Sequence, residues 1–135
     1  MRNINKIIIH CSATPEGRHT TVEEIKRWHI ARGFTNIGYH YVIYLDGSVH
    51  AGRPESTPGA HCKGQNSNSI GICYVGGMDN GNVHPKDTRT PAQKAALIKL
   101  VSELKTRFTN ATVHGHREFA NKACPSFDVK SERYD

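Results

Sequence analysis

Three residues have types and places that suit chemistry: His10, His116 and Cys124. His10 ends the apolar stretch "KIIIH", His116 ends "ATVHGH", and Cys124 follows eight positions later inside "NKACPSF". Strand ends in α/β sheets open into crevices, so the two imidazoles converge if their strands are neighbours. An eight-residue loop is long enough to fold the thiol back beside His116. Two neutral imidazoles and one thiolate form a three-ligand set for zinc that leaves a fourth position for water. Pro125 stiffens the backbone just after the sulfur, and Lys122 stands two residues before it. Each residue also has an ordinary structural use, and no local zinc motif such as HExxH is present. At this level Cys124 is open to three readings: core residue, half of a disulfide, or ligand and catalyst.

The bulk numbers narrow the field. Eighteen Lys and Arg against twelve Asp and Glu leave a net charge of +6, which suits an anionic partner such as a nucleic acid, a membrane surface or a bacterial wall. The cations are scattered, with no run of three, and few aromatics alternate with them. That argues against nucleic acid. The first apolar run, three isoleucines, is too short for a signal-peptide core or a membrane span. The expectation is a chain that is cytoplasmic as synthesised, with no membrane contact. The four cysteines, Cys11, Cys62, Cys73 and Cys124, include no CxxC pair, and in a chain that is not exported disulfides are not expected. Cys73, inside "SIGICYVGG", reads as a small core residue.

The elements that must position these residues follow from periodicity and turn chemistry. Lys6–His10 and "SIGICYVGG" are continuous apolar runs, read as strands buried on both faces. Thr21 and Glu24 predict a capping box opening a helix, with Val22, Ile25 and Trp28 or His29 on one face and Gly33 at its end. Gly38–Arg53 reads as a hairpin around an Asp46-Gly47 turn. Thr90, Pro91 and Gln93 supply the N-cap, N1 proline and N3 glutamine of a second helix running to about Phe108. Its stripe is Leu97, Leu100, Val101, Leu104 and Phe108. "ATVHGH" is a last short strand. The pattern predicts an α/β fold in a single domain, residues 1–135, with a central mixed β-sheet of about five strands flanked by helices. His10 and His116 then stand at strand ends, placing a zinc site in a surface groove.

"IIIHCSAT", "IGYHYVIYLDG", "NSIGICYVGG", "TPAQ", "VHGHRE" and "KACPSF" occur in this order. Together, over roughly residues 5–128, they resemble the zinc-dependent N-acetylmuramoyl-L-alanine amidases of bacteriophages, the endolysin branch of a family that includes the peptidoglycan recognition proteins. The resemblance implies one zinc per chain held by His10, His116 and Cys124. It makes Tyr39 of "GYHY" and Lys122 of "KAC" catalytic, and places His61 in the substrate groove, with Lys63 and Asn66 as further lining. His114 competes with His116 and borders the cleft by strand alternation. His19, His29 and His84 read as solvated surface residues. Glu118 reads as the partner of Arg117 or another surface cation rather than as a base.

The implied reaction is hydrolysis of the amide between the lactyl group of muramic acid and the first L-alanine of the stem peptide. Zinc would lower the pKa of a bound water and polarise the carbonyl. Lys122 would meet the developing oxyanion, and Tyr39 would hydrogen-bond the water or relay a proton. The implied partner is bacterial peptidoglycan, the activity bacteriolytic, and the protein a monomer. Two rivals stand beside this reading: a peptidoglycan-binding module without catalysis, and a hydrolase with Cys124 as nucleophile and His116 as base. The roles of Cys11 and Cys62 stay open, with Cys11 directed away from His10 on a regular strand.

Overall fold

In the computed structural model, which describes residues 2–134, strands and helices alternate along the chain. They are β1 (Lys6–Cys11), β2 (Thr14–Pro15), α1 (Val22–Ala31), β3 (Tyr41–Ile43), β4 (Val49–Ala51), β5 (Ser69–Tyr74), β6 (Gly77–Met78), α2 (Pro91–Arg107) and β7 (Thr112–Gly115). Short 3-10 turns occupy Asn66–Asn68, His116–Glu118 and Val129–Ser131. Five strands form one mixed sheet in the order β4-β3-β5-β1-β7, parallel except for β4 against β3. This is the α/β architecture the sequence predicts. Among the described residues no helix is long and apolar enough to cross a membrane.

The two continuous apolar runs become the inner strands because each has a face to bury on either side. Ile7, Ile9, Ile70, Ile72 and Tyr74 pack against Leu97, Leu100, Val101 and Leu104 of α2. On the opposite face Val42, Cys73 and Val75 pack with Ile25 of α1 and Ile37. Helix α2 carries the expected capping box, with the Gln93 N–H donating to Thr90 Oγ1 at 3.0 Å and the Thr90 N–H to Gln93 Oε1 at 2.9 Å. The Gln93 amide also donates to the carbonyls of Ile43 and Val75, tying the helix start to the ends of β3 and β5.

Three local expectations change. At α1 only half of the capping box forms: Thr21 Oγ1 accepts from the Glu24 N–H at 3.2 Å, while the Glu24 carboxylate turns towards Arg18, 4.0 Å away. His29, read as solvated, is buried at 6% exposure. Its Nδ1 accepts the Gly38 N–H at 2.8 Å, and its ring packs on Phe34 and Tyr39. That backbone donor needed an acceptor, and the helix turned His29 towards it and Trp28 outward. The strand read through "SIGICYVGG" stops at Tyr74, and its Gly77 pairs instead with Thr14 in a small second sheet, β2 with β6.

Candidate active site

The sheet order brings the two ends of the chain together. β1 and β7 are parallel neighbours, with Ile9 opposite Gly115, so the residues just beyond them emerge side by side. The His10 and His116 rings lie 4.5 Å apart, centre to centre. His116 does not end the strand as read from sequence; it opens a 3-10 turn. The cause is Glu118, whose carboxylate accepts the Gly115 N–H at 2.7 Å and bends the chain there.

The cysteine loop is held against both histidines from several directions. The Arg117 N–H donates to the Cys124 carbonyl at 2.8 Å, and the Cys11 N–H to Cys124 Sγ at 3.2 Å. The Tyr74 hydroxyl donates to the Pro125 carbonyl at 2.6 Å. Further along, the Arg89 guanidinium, only 2% exposed, bonds Asp87 and Glu132 and sits 3.4 Å over the Phe127 ring. Gly77 has φ +102°, and a Cβ there would lie 2.4 Å from Cys11 Sγ, so the bend after β5 leaves room for that thiol. Cys11 packs with the α2 side of the core, yet its backbone touches the Cys124 sulfur.

One donor atom from each of His10, His116 and Cys124 lies within 4.8 Å of the others. This is the single such cluster of His, Cys, Asp or Glu among the described residues. His10 Nδ1 is 3.9 Å from Cys124 Sγ. A tetrahedral zinc with bonds of about 2.3 Å to sulfur and about 2.0 Å to nitrogen wants those atoms about 3.6 Å apart. The donor set and its spacing therefore fit zinc. Burial, then His61, His116 and Lys122, holds His10 well below the ordinary histidine range; burial and Lys122 lower His116. Both shifts favour the neutral ring that ligation requires. The Cys124 thiol is pushed up, first by its hydrogen bond with the Cys11 thiol and then by burial. A divalent cation inverts that preference and favours the thiolate.

Tyr39 stands 5.1 Å from His10, ring to ring. Burial first, with the thiols of Cys73, Cys124 and Cys11 adding to it, pushes its phenol well above the usual range, so it keeps its proton. Lys122 lies on the rim shared by two adjoining hollows of about 530 and 220 Å³, which also have Arg32 and His116 in common. Phe34, His61, Lys63, Asn66 and Phe119 line one arm; Ser12, Trp28 and Tyr39 line the other. Among the described residues Arg32, Lys63 and Lys122 have no carboxylate partner.

The remaining candidates are placed less simply. His61 borders the groove, but both its ring nitrogens are engaged inside the protein, with His10 at 2.8 Å and Ser69 at 3.1 Å. Asn66 Oδ1 accepts the N–H groups of His61 and Cys62, each at 3.0 Å, and so shapes the loop. His114 is not part of the metal cluster: its nitrogens face Thr112 and Glu118. Glu118 pairs with His114 and Lys130 rather than with Arg117, which faces Asp128. Sequence reasoning missed Arg32, Phe34, Phe119 and Ser69. No spacing marks them, since they converge only when α1, the 61–69 loop and the 116–122 turn fold together.

A mixed sheet with two histidines and a cysteine gathered at the ends of its parallel strands defines a class: small α/β domains built around a candidate metal centre in an open groove. Within that class the chain belongs to the N-acetylmuramoyl-L-alanine amidase family, whose model matches residues 1–127. It is 47% identical over 127 residues to the endolysin of Klebsiella phage KP32, covering 93% of this chain and 83% of that one. Among solved structures it resembles the N-acetylmuramoyl-L-alanine amidase LysC from Clostridium intestinale, with a TM-score of 0.82 at 29% identity over 94% of this chain and 79% of the other. It is also similar to the ectodomain complex of peptidoglycan recognition proteins LCa and LCx bound to tracheal cytotoxin, with a TM-score of 0.77 at 28% identity over 93% and 77%. An endolysin-type amidase is the function that family and relatives support.

Proposed function

We propose that this protein is a zinc-dependent N-acetylmuramoyl-L-alanine amidase that cuts the bond between N-acetylmuramic acid and L-alanine in peptidoglycan. His10, His116 and Cys124 hold one zinc per chain. The observation that carries this reading is the convergence of their donor atoms within 4.8 Å beside a groove. When bound, zinc lowers the pKa of a water towards neutrality and polarises the substrate carbonyl.

The chain's own groups do the rest. The Lys122 ammonium, on the shared rim, meets the negative charge that develops on the carbonyl oxygen. The Tyr39 phenol, kept protonated, donates a hydrogen bond to that oxygen or passes its proton to the leaving amine. Lys63, Asn66 and Arg32 line the arm in which the peptide lies, where unpaired cations attract its carboxylates. His61 borders the same arm. The endolysin relative supports action on the cell wall after synthesis in the cytoplasm.

Labelling the amino termini released from purified peptidoglycan tests the bond assignment. New L-alanine termini are expected. New reducing sugar ends without them would identify a glycosidase and contradict it.

A further inference from the structure

His61 is 8% exposed, and its ring fits a slot that only glycine permits. A Cβ on Gly71 would lie 2.6 Å from His61 Cγ and Cδ2, and one on Gly59 would lie 2.5 Å from Cδ2. From this slot runs a hydrogen-bonded series: His10 Nε2 to His61 Nδ1 at 2.8 Å, His61 Nε2 to Ser69 Oγ at 3.1 Å, and Ser69 Oγ to the Gln65 carbonyl at 2.7 Å.

The last member sets the direction of all the others. A carbonyl oxygen only accepts, so the single proton of the Ser69 hydroxyl points at Gln65. Ser69 Oγ must then accept from His61, which places the His61 proton on Nε2 and leaves Nδ1 bare. Bare Nδ1 accepts from His10, so neutral His10 carries its proton on Nε2. Its lone pair is then on Nδ1, the nitrogen 3.9 Å from Cys124 Sγ.

We propose that His61 and Ser69 are positioning residues: they hold His10 in the one tautomer and ring orientation that present Nδ1 as a metal ligand. The role in metal binding rests on the zinc reading above; the tautomer does not. Partners behind a ligand histidine commonly change metal affinity by about 10- to 100-fold. Asn66, by holding the N–H groups of His61 and Cys62, keeps the loop that carries the ring in place.

Long-range nitrogen–proton NMR on the metal-free protein reads the tautomer directly. The wild type should show His10 protonated on Nε2 and bare on Nδ1; a proton on Nδ1 overturns the proposal. His61→Leu should mix the tautomers and weaken zinc, in competition with a chelator, by about 10- to 100-fold. His61→Asn, which keeps an acceptor where Nδ1 stood, should recover most of that loss. Ser69→Ala should lower affinity in the same direction by less, and it carries the comparison if His61→Leu does not fold. An unchanged tautomer and unchanged zinc affinity in a folded His61→Leu or Ser69→Ala protein would also overturn it. A wild type with the expected tautomer that binds no zinc upholds the positioning and removes the zinc reading instead.

Discussion

His10 Nδ1 and Cys124 Sγ lie 3.9 Å apart although 114 positions separate them in the chain. The parallel pairing of β1 with β7 accounts for the approach, because it sets the chain beyond Gly115 next to His10. The Cys124 thiol is half-buried and lies beside two imidazoles held below the ordinary histidine range, with no charge of its own to draw a proton from it. A cation supplies that charge.

If Cys124 is a ligand, Cys124→Ala should lose stoichiometric zinc and lower turnover by at least about 10³-fold, as loss of a metal nucleophile implies. Zinc content by atomic absorption, beside the rate, checks it. Were Cys124 instead the nucleophile, alkylation would abolish activity and chelation would leave it intact.

Lys122 belongs to the chemistry rather than to the metal. Lys122→Ala should keep its zinc and lose about 10²- to 10³-fold in kcat, the effect of removing one donor to an oxyanion. A loss confined to KM would assign it to binding alone.

For Tyr39 the decisive variant is Tyr39→Phe, which keeps the ring against His10 and His29 and removes only the hydroxyl. A fall of about 10²-fold in kcat with zinc retained is expected for a proton donor in the reaction. Unaltered kcat would leave the ring a packing role.

Helices and strands around this site were legible because their signals are local. The apolar runs at β1 and β5, the Thr90–Gln93 cap and the Asp46-Gly47 turn each state their structure within a few residues. Cys124 and His116 were legible through motif and spacing. His29 was not, since its burial depends on a backbone N–H nine residues away. Nor was the engagement of His61 with His10 and Ser69, which needs the packing of two glycines from different segments. Polar residues read singly look solvated; only the assembled fold shows which backbone group each one satisfies.

Arg89 anchors the tail that follows Cys124. Arg89→Ala leaves Asp87 and Glu132 facing each other and uncovers Phe127. The two carboxylate side chains keep 34% and 37% of their surface in water. The loss should therefore be about 3 kcal/mol, the low end for breaking a buried pair. Urea unfolding measures it, and zinc affinity should fall with it.

The buried His29 predicts an acid-sensitive fold. Burial first, then Arg32 and Arg53, lowers its pKa to about 4, against about 6.5 in the unfolded chain. Between those values the unfolded state takes a proton that the native state refuses. Stability from this group is thus lost as pH falls from about 6.5 to about 4 and changes no further below. His29→Asn keeps an acceptor for Gly38 and does not titrate. Across that window wild-type stability should fall more steeply than the variant's, by at most about one proton's slope, 1.4 kcal/mol per pH unit. Parallel curves would contradict this origin.

The most direct test of the central claim is the release of L-alanine amino termini from purified peptidoglycan before chelation, after it, and after zinc is restored. New termini should form, vanish with the chelator and return with zinc. Termini that persist at the same rate in chelator, with zinc shown to be absent, would contradict it.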